Sequence, residues 1–265
     1  MSERMNHMKE SIRNHTHVKE QYADDTNLTA RISIHDKYSV NRTGFGNWLF
    51  GQYDFFAGCR ILELGCGTGS LWKGRKLPGN TALTLTDFSA GMLDSARTNL
   101  AGMGNVTFLQ ADIQNIPFED GAFDYVIANM MLYHVPDIDR AIAEVRRVLK
   151  PGGTFACATS GENGIAEFVW SIFAISHQLP PVTVPFTLQN GGAMLEKHFD
   201  TVQIRRYEDH LEVTDPRDLV SYIRSLKTMA DFSSVTDEEM LAAFGERMEN
   251  GVLTVPKEYG TFLAD

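Results

Sequence analysis

The sequence predicts an α/β protein: a mostly parallel, doubly wound, seven-stranded sheet with an N-terminal helical cover and a C-terminal helical lid insertion. Three observations lead there. Between Cys59 and Ser160, short apolar runs alternate with stretches long enough for helices, the pattern of buried parallel strands joined by crossovers. One of these runs, "RILELGCGTGS" at 60–70, passes from strand into a turn with three glycines, where a backbone can be approached closely. Two late segments, "FDTVQIRRYEDHLEV" and "YGTFLAD", read as closing strands with helices between them.

Residues 1–56 are expected to form the cover. Helix-like stretches around "HVKEQYADD" and "GNWLFGQYDFF" flank the polar, aromatic-containing "RISIHDKYSVNRTGFG". Residues 57–160 are expected to form the core, with strands at "RILEL", "ALTLTD", "VTFLQAD", "FDYVIAN" and "GTFACAT". In "DIDRAIAEVRRVLKPGG", Ile138, Ile142, Val145 and Leu149 recur at helical spacing and Pro151-Gly152-Gly153 is the expected stop. Residues 161–265 complete the sheet and carry the lid, in the same domain as the core. There "AEFVWSIFAISHQL" has apolar helix character and "LPPVTVP" is a Pro-broken connection. Asp215-Pro216 suits a helix start leading into "RDLVSYIRSLKTM". Thr236 and Glu239 have capping-box spacing, with Asn250-Gly251 as the expected stop.

Composition narrows the function classes. At 265 residues and 43% hydrophobic, the chain can bury a full core. A net charge of −10 argues against a nucleic-acid partner, whose phosphates call for basic surfaces. Cys59, Cys66 and Cys157 show neither disulfide nor metal spacing, so a reducing cytoplasmic setting and no metal are expected. The polar N-terminus lacks an apolar signal core and no apolar run is long enough for a bilayer, so no membrane association is expected.

The glycine loop asks for a ligand. Gly65, Gly67 and Gly69 stand where a parallel strand meets its helix, and Asp87 closes the next strand 22 positions after Gly65, where a carboxylate can accept both hydroxyls of a ribose. A plain tight turn is the bland alternative, but the two features together indicate a nucleoside-containing cofactor. The spacing is G-x-G-x-G, not the dinucleotide G-x-G-x-x-G, and Glu63 stands two residues before it. An acid there repels a pyrophosphate and suits a cationic or amine-bearing ligand.

With "ILELGCGTGSL", "LTDFSAGMLDSAR", "QADIQNIPFEDGAFDYVIAN" and "RVLKPGGTF" in order, residues 58–160 resemble the class I S-adenosylmethionine-dependent methyltransferases, of the small-molecule type, with a Rossmann-like fold. The resemblance implies S-adenosylmethionine as cofactor. It implies that Glu63 and the loop Gly65, Cys66, Gly67 and Gly69 line the methionine portion and that Asp87 holds the ribose. Phe88 and Met92 then flank the adenine, Asp112 accepts its amino group, Ile113 offers a backbone N–H, and Asn129 lies near the amino-acid end. Met92 could instead be helix core and Asp112 a turn cap, while no role is expected for the Cys66 thiol.

A sulfonium methyl is already activated, so alignment supplies much of the rate and a base is needed only for a protonated nucleophile. His134, after the fourth strand, is the candidate base or orienting group, against a packing role. His35, Tyr38, Asn41, Trp48 and Tyr133 are candidates for the substrate pocket, with Trp170, Phe173, His177 and Tyr222 as weaker lid candidates. A small-molecule methyltransferase is the favoured reading. The alternatives are a non-catalytic S-adenosylmethionine-binding regulator or partner subunit and, less supported by the loop, a nicotinamide dehydrogenase. The acceptor atom and the oligomeric state are not legible.

Overall fold

A computed structural model describes residues 26–226 and 230–265. The expected helical stretch "HVKEQYADD" and the end of "RDLVSYIRSLKTM" lie outside the described residues. The order is α1 (Thr26–Tyr38), α2 (Phe45–Phe50), β1 (Arg60–Leu64), β2 (Ala82–Asp87), α3 (Ala90–Asn99), β3 (Val106–Gln110), β4 (Phe123–Ile127), α4 (Ile138–Val148), β5 (Leu149–Ser160), α5 (Ile165–Phe173), α6 (Gly191–Leu195), β6 (Val202–Val213), α7 (Pro216–Ser225), α8 (Asp237–Gly245) and β7 (Leu253–Ala264). Short 3-10 turns at Ser70–Trp72 and Leu132–His134 follow β1 and β4. No helix among the described residues is long and apolar enough to cross a membrane.

Seven strands form one sheet in the order β3-β2-β1-β4-β5-β7-β6. The first five are parallel neighbours, whereas β7 runs antiparallel to both β5 and β6. The fold class is therefore the expected one. Alternation along the buried strands feeds two faces. Leu62, Leu64, Val126 and Phe155 join Ile142 and Val145 of α4 in one core. Ile61, Leu83, Leu85 and Ile127 join Leu93 and Ala96 of α3 in the other.

A third apolar cluster lies outside the parallel sheet. Ile34 and Tyr38 of α1 pack with Val169 of α5, Leu219 and Ile223 of α7, Phe244 of α8 and the strand ends Leu211 and Val255. Cover and lid are thus one unit. Register explains where it sits: β7 pairs with β5 only from Tyr259 onward, but with β6 from Leu253. The hairpin formed by residues 207–213 and 253–259 therefore projects beyond Ser160, past the carboxyl ends of the parallel strands.

Several boundaries differ from expectation for local reasons. The first half of the segment 31–46, read as a polar stretch between helices, belongs to α1, whose buried face among residues 32–38 is only Ile34 and Tyr38. α4, capped by Asp137, ends before Pro151, and β5 starts at once. The register slips there, Phe123 pairing with Leu149 and Tyr125 with Thr154, so Pro151-Gly152-Gly153 forms a bulge, with Gly152 at φ 72°. Asp215 and Thr236 cap α7 and α8 as expected. Asn250-Gly251 does not stop α8, which ends at Gly245. Both residues have positive φ and form the two-residue turn between Glu249 and Val252 that leads into β7.

Candidate functional site

One cavity of about 820 Å³ opens at the carboxyl ends of β1, β2 and β4 and continues beneath the projecting hairpin. Ligands of open α/β sheets gather at this edge. The strand that ends in "ELG" delivers Glu63 and then Gly65 and Gly67, at φ 70° and 55°, which only glycine adopts freely. A Cβ on Gly65 would lie 2.9 Å from the Met131 side chain. Gly69 has another task. Its Cβ would meet Leu100 at 2.8 Å and Ala96 at 3.3 Å, so it lets the end of α3 pack closely, and it is not among the residues lining the cavity.

Glu63 is buried, and its Oε2 accepts the indole N–H of Trp72 at 2.6 Å. Burial pushes its pKa up to about 8, opposed by the Trp72 hydrogen bond and reinforced by the Asp87 charge. Asp87 accepts the Gly67 N–H at 2.9 Å and the Ser89 N–H at 2.8 Å, and burial raises its pKa despite these bonds. The Phe88 backbone N–H also donates to it, leaving a carboxylate with roughly four lone-pair positions room for a further donor. Asp112 accepts from the Gln114 backbone at 2.8 Å and side chain at 3.2 Å. The partners recorded for all three carboxylates are N–H donors of uncharged groups.

The native state keeps the Glu63 proton that an unfolded chain releases between about pH 4.5 and 8, so this group's contribution to stability falls as pH rises through that window. Glutamine can still accept the Trp72 N–H and never ionises. Glu63→Gln is expected to match the parent's Tm at pH 5 and exceed it by about 5 °C at pH 9. Equal melting at pH 9 would contradict the shift.

Phe88, Met92, Ile113 and Asn129 also line the cavity. The Asn129 amide donates to the Tyr53 hydroxyl at 2.8 Å, a residue the motifs did not flag. The Cys66 thiol is buried and donates to the Gly67 carbonyl at 3.6 Å. Burial raises its pKa far above the thiol range, which leaves it no nucleophilic role. His134 and Tyr133 lie on the wall, their rings 4.6 Å apart and edge to face.

Of the other candidates, His35, Asn41 and Tyr222 reach the cavity. The Asn41 backbone N–H is bound to Asp209 and its amide to the Glu208 carbonyl, so it ties the cover down. Tyr38 and Trp48 do not line the cavity. The Tyr38 hydroxyl donates to Asp218 at 2.6 Å, and Trp48 packs on Phe45 and Tyr207. Trp170, Phe173 and His177 are likewise off the wall: the Trp170 indole donates to the Pro180 carbonyl, Phe173 is in the cover core, and His177 meets Glu239 at 3.2 Å. Sequence reasoning missed Lys257 and Tyr259, which line the roof.

Residues 62–157 match the family model described as a methyltransferase domain. A demethylmenaquinone methyltransferase of Staphylococcus aureus is 39% identical over 114 residues, which is 42% of this chain and 47% of the relative. The chain therefore spans about half the length of the curated relatives it matches. Among solved structures, the YcgJ protein of Bacillus subtilis superposes with a TM-score of 0.56 at 19% identity, covering 82% of this chain and 96% of that one. Phosphoethanolamine N-methyltransferase 2 of Haemonchus contortus, in complex with S-adenosyl-L-methionine, superposes with a TM-score of 0.56 at 18% identity, covering 91% of this chain and 57% of that one. At such identities the likeness is one of fold.

Proposed function

We propose that the chain, whose residues 62–157 match the methyltransferase-domain model, is a class I S-adenosylmethionine-dependent methyltransferase that transfers a methyl group from S-adenosylmethionine to a nucleophilic atom of a small molecule held in the same cavity. The observation that carries this reading is the single cavity lined both by the glycine loop with Glu63, Asp87 and Asp112 and by the projecting hairpin. The carboxylates fit the cofactor chemically. Bound there, S-adenosylmethionine supplies a methyl group activated by its positive sulfur.

In this reading Asp87 accepts the ribose hydroxyls, Asp112 and the Ile113 N–H receive the adenine, and Phe88 and Met92 flank the ring. Glu63, with Asn129 nearby, faces the methionine end, where a cation draws the Glu63 proton off. Cofactor affinity then rises with pH up to about 8, the Glu63 value. The roof and walls exclude water from the reacting atoms and hold them in line.

His134 stands beyond β4 as the group that takes a proton from the acceptor. His134→Ala is expected to lower kcat by about 10²–10⁴ and remove the acidic limb of the pH profile. Unchanged turnover and profile would leave alignment alone as the mechanism.

Titration calorimetry with S-adenosylmethionine and with NAD tests the cofactor, and incubation with methyl-labelled cofactor and fractionated extract tests the transfer. Binding of S-adenosylmethionine, no binding of NAD and a labelled small molecule are expected. Binding without any labelled product would favour a non-catalytic cofactor-binding subunit.

A further inference from the structure

Glu63 and Asn129, the two side chains that the methyltransferase reading sets at the methionine end, leave the sheet on the same side. Glu63 pairs with Ile127 of the neighbouring parallel strand. The chain stays alongside β5 beyond that point, the Ala128 and Met130 N–H groups donating to the Ala156 and Ala158 carbonyls. Asn129 therefore shares the face of Glu63, one alternation further on. Both residues line the cavity.

Each is held from behind by an aromatic side chain that does not line the cavity. The Trp72 indole N–H donates to Glu63 at 2.6 Å. The Tyr53 hydroxyl accepts from the Asn129 amide nitrogen at 2.8 Å and has the amide oxygen 3.2 Å away. Phe55 braces the two holders against each other, its ring centroid 5.4 Å from that of Tyr53 and 5.9 Å from that of Trp72. Tyr53 and Trp72 are buried in the core that Ile61 and Ile127 form on this face. Burial above all raises the Tyr53 pKa, against the Asn129 hydrogen bond and together with the Glu63 charge, so the hydroxyl stays neutral. It takes at most one hydrogen-bonding position on each amide atom, which leaves Asn129 an N–H and an oxygen lone pair for a ligand. An amino-acid group offers a carboxylate to the first and an ammonium to the second. A side chain already held in place loses little rotational freedom when that ligand arrives.

We propose that Tyr53 is a positioning residue for the cofactor: its hydroxyl fixes the Asn129 amide, beside Glu63, as a binder of the amino-acid end of S-adenosylmethionine. The proposal rests on the methyltransferase reading and deepens it. It gives the last residues of the cover a part in selecting this cofactor over adenosine compounds that lack the amino-acid end.

The test is calorimetry on the full chain with S-adenosylhomocysteine and with methylthioadenosine, which has the same adenosine and sulfur but ends in a methyl group in place of the amino-acid chain. The parent is expected to bind S-adenosylhomocysteine about a hundredfold more tightly. Tyr53→Phe keeps the ring against Phe55 and should weaken S-adenosylhomocysteine about fivefold. Methylthioadenosine, the control for folding, should stay within twofold of the parent. Asn129→Ala should weaken S-adenosylhomocysteine by about tenfold, and adding Tyr53→Phe to it should cost less than a further twofold. A Tyr53→Phe variant that binds S-adenosylhomocysteine as the parent does, weakens both compounds alike, or multiplies the Asn129→Ala loss overturns the proposal. So does a parent that binds methylthioadenosine as tightly as S-adenosylhomocysteine. A parent that binds neither compound overturns the cofactor reading, and this inference with it.

Discussion

Asp87→Ala is expected to weaken S-adenosylmethionine binding by about 10²–10⁴. Two hydrogen bonds from a ribose to an ionised acceptor are worth about 1.5–3 kcal/mol each, and every 1.4 kcal/mol is about tenfold in affinity. The same carboxylate also accepts the Gly67 and Ser89 N–H groups, so its loss slackens both the loop and the start of α3. Asp87→Asn separates the two effects. An amide oxygen can still hold one backbone N–H while the charge is gone, so a loss of about tenfold is expected there with melting close to the parent. Calorimetric affinity within threefold of the parent in a folded Asp87→Ala would refute the cofactor assignment.

The half of the cavity proposed to hold the cofactor was legible because it is local in sequence. Glu63, Gly65, Gly67, Asp87, Asp112 and Asn129 each sit at or just past a strand end, so the order of strands and turns is enough to bring them to one edge. Gly69 shares the glycine signal, and a Cβ there would meet Leu100 and Ala96, so helix packing alone would also call for glycine at this position. The roof was not legible because its partners are remote: Lys257 meets Ser39 across 218 positions, and Tyr259 meets His35 across 224.

Pro256 hid the rest of the roof. A proline argues against a strand interior, and the closing strand was expected only over "YGTFLAD". In the structure Pro256 pairs with His210 where β7 has run beyond β5. At that point β7 is an edge, and a missing N–H is tolerated. Lys257, a residue type that ordinarily faces solvent, is thereby carried inside. The cover was obscured in a similar way. Ile34 and Tyr38 make a stripe too narrow to announce a helix, and their partners lie on α7, β6 and the lid core.

Asp209→Ala is expected to destabilise the protein by about 3–5 kcal/mol, the cost of stranding a buried partner charge. The Asp209 and Lys257 side chains are 0% and 1% exposed and 2.6 Å apart. Burial alone would raise the Asp209 pKa, but Lys257, Ser39 and the Asn41 N–H together hold it below the usual carboxylate range. Its contribution is therefore present above the unfolded value near pH 4 and lost as pH falls through the lower folded one. Removing the carboxylate leaves the ammonium inside and takes the acceptor from the Ser39 hydroxyl and the Asn41 N–H, so the cover loses its tie to the hairpin. The double variant Asp209→Leu with Lys257→Met removes both charges and is expected to recover more than half of the loss. Urea denaturation measures both. Cofactor affinity in either should change less than tenfold, because Glu63, Asp87 and Asp112 stand on other elements. A single variant within 1 kcal/mol of the parent, or a double no better than the single, would mean that the buried pair does not hold the roof.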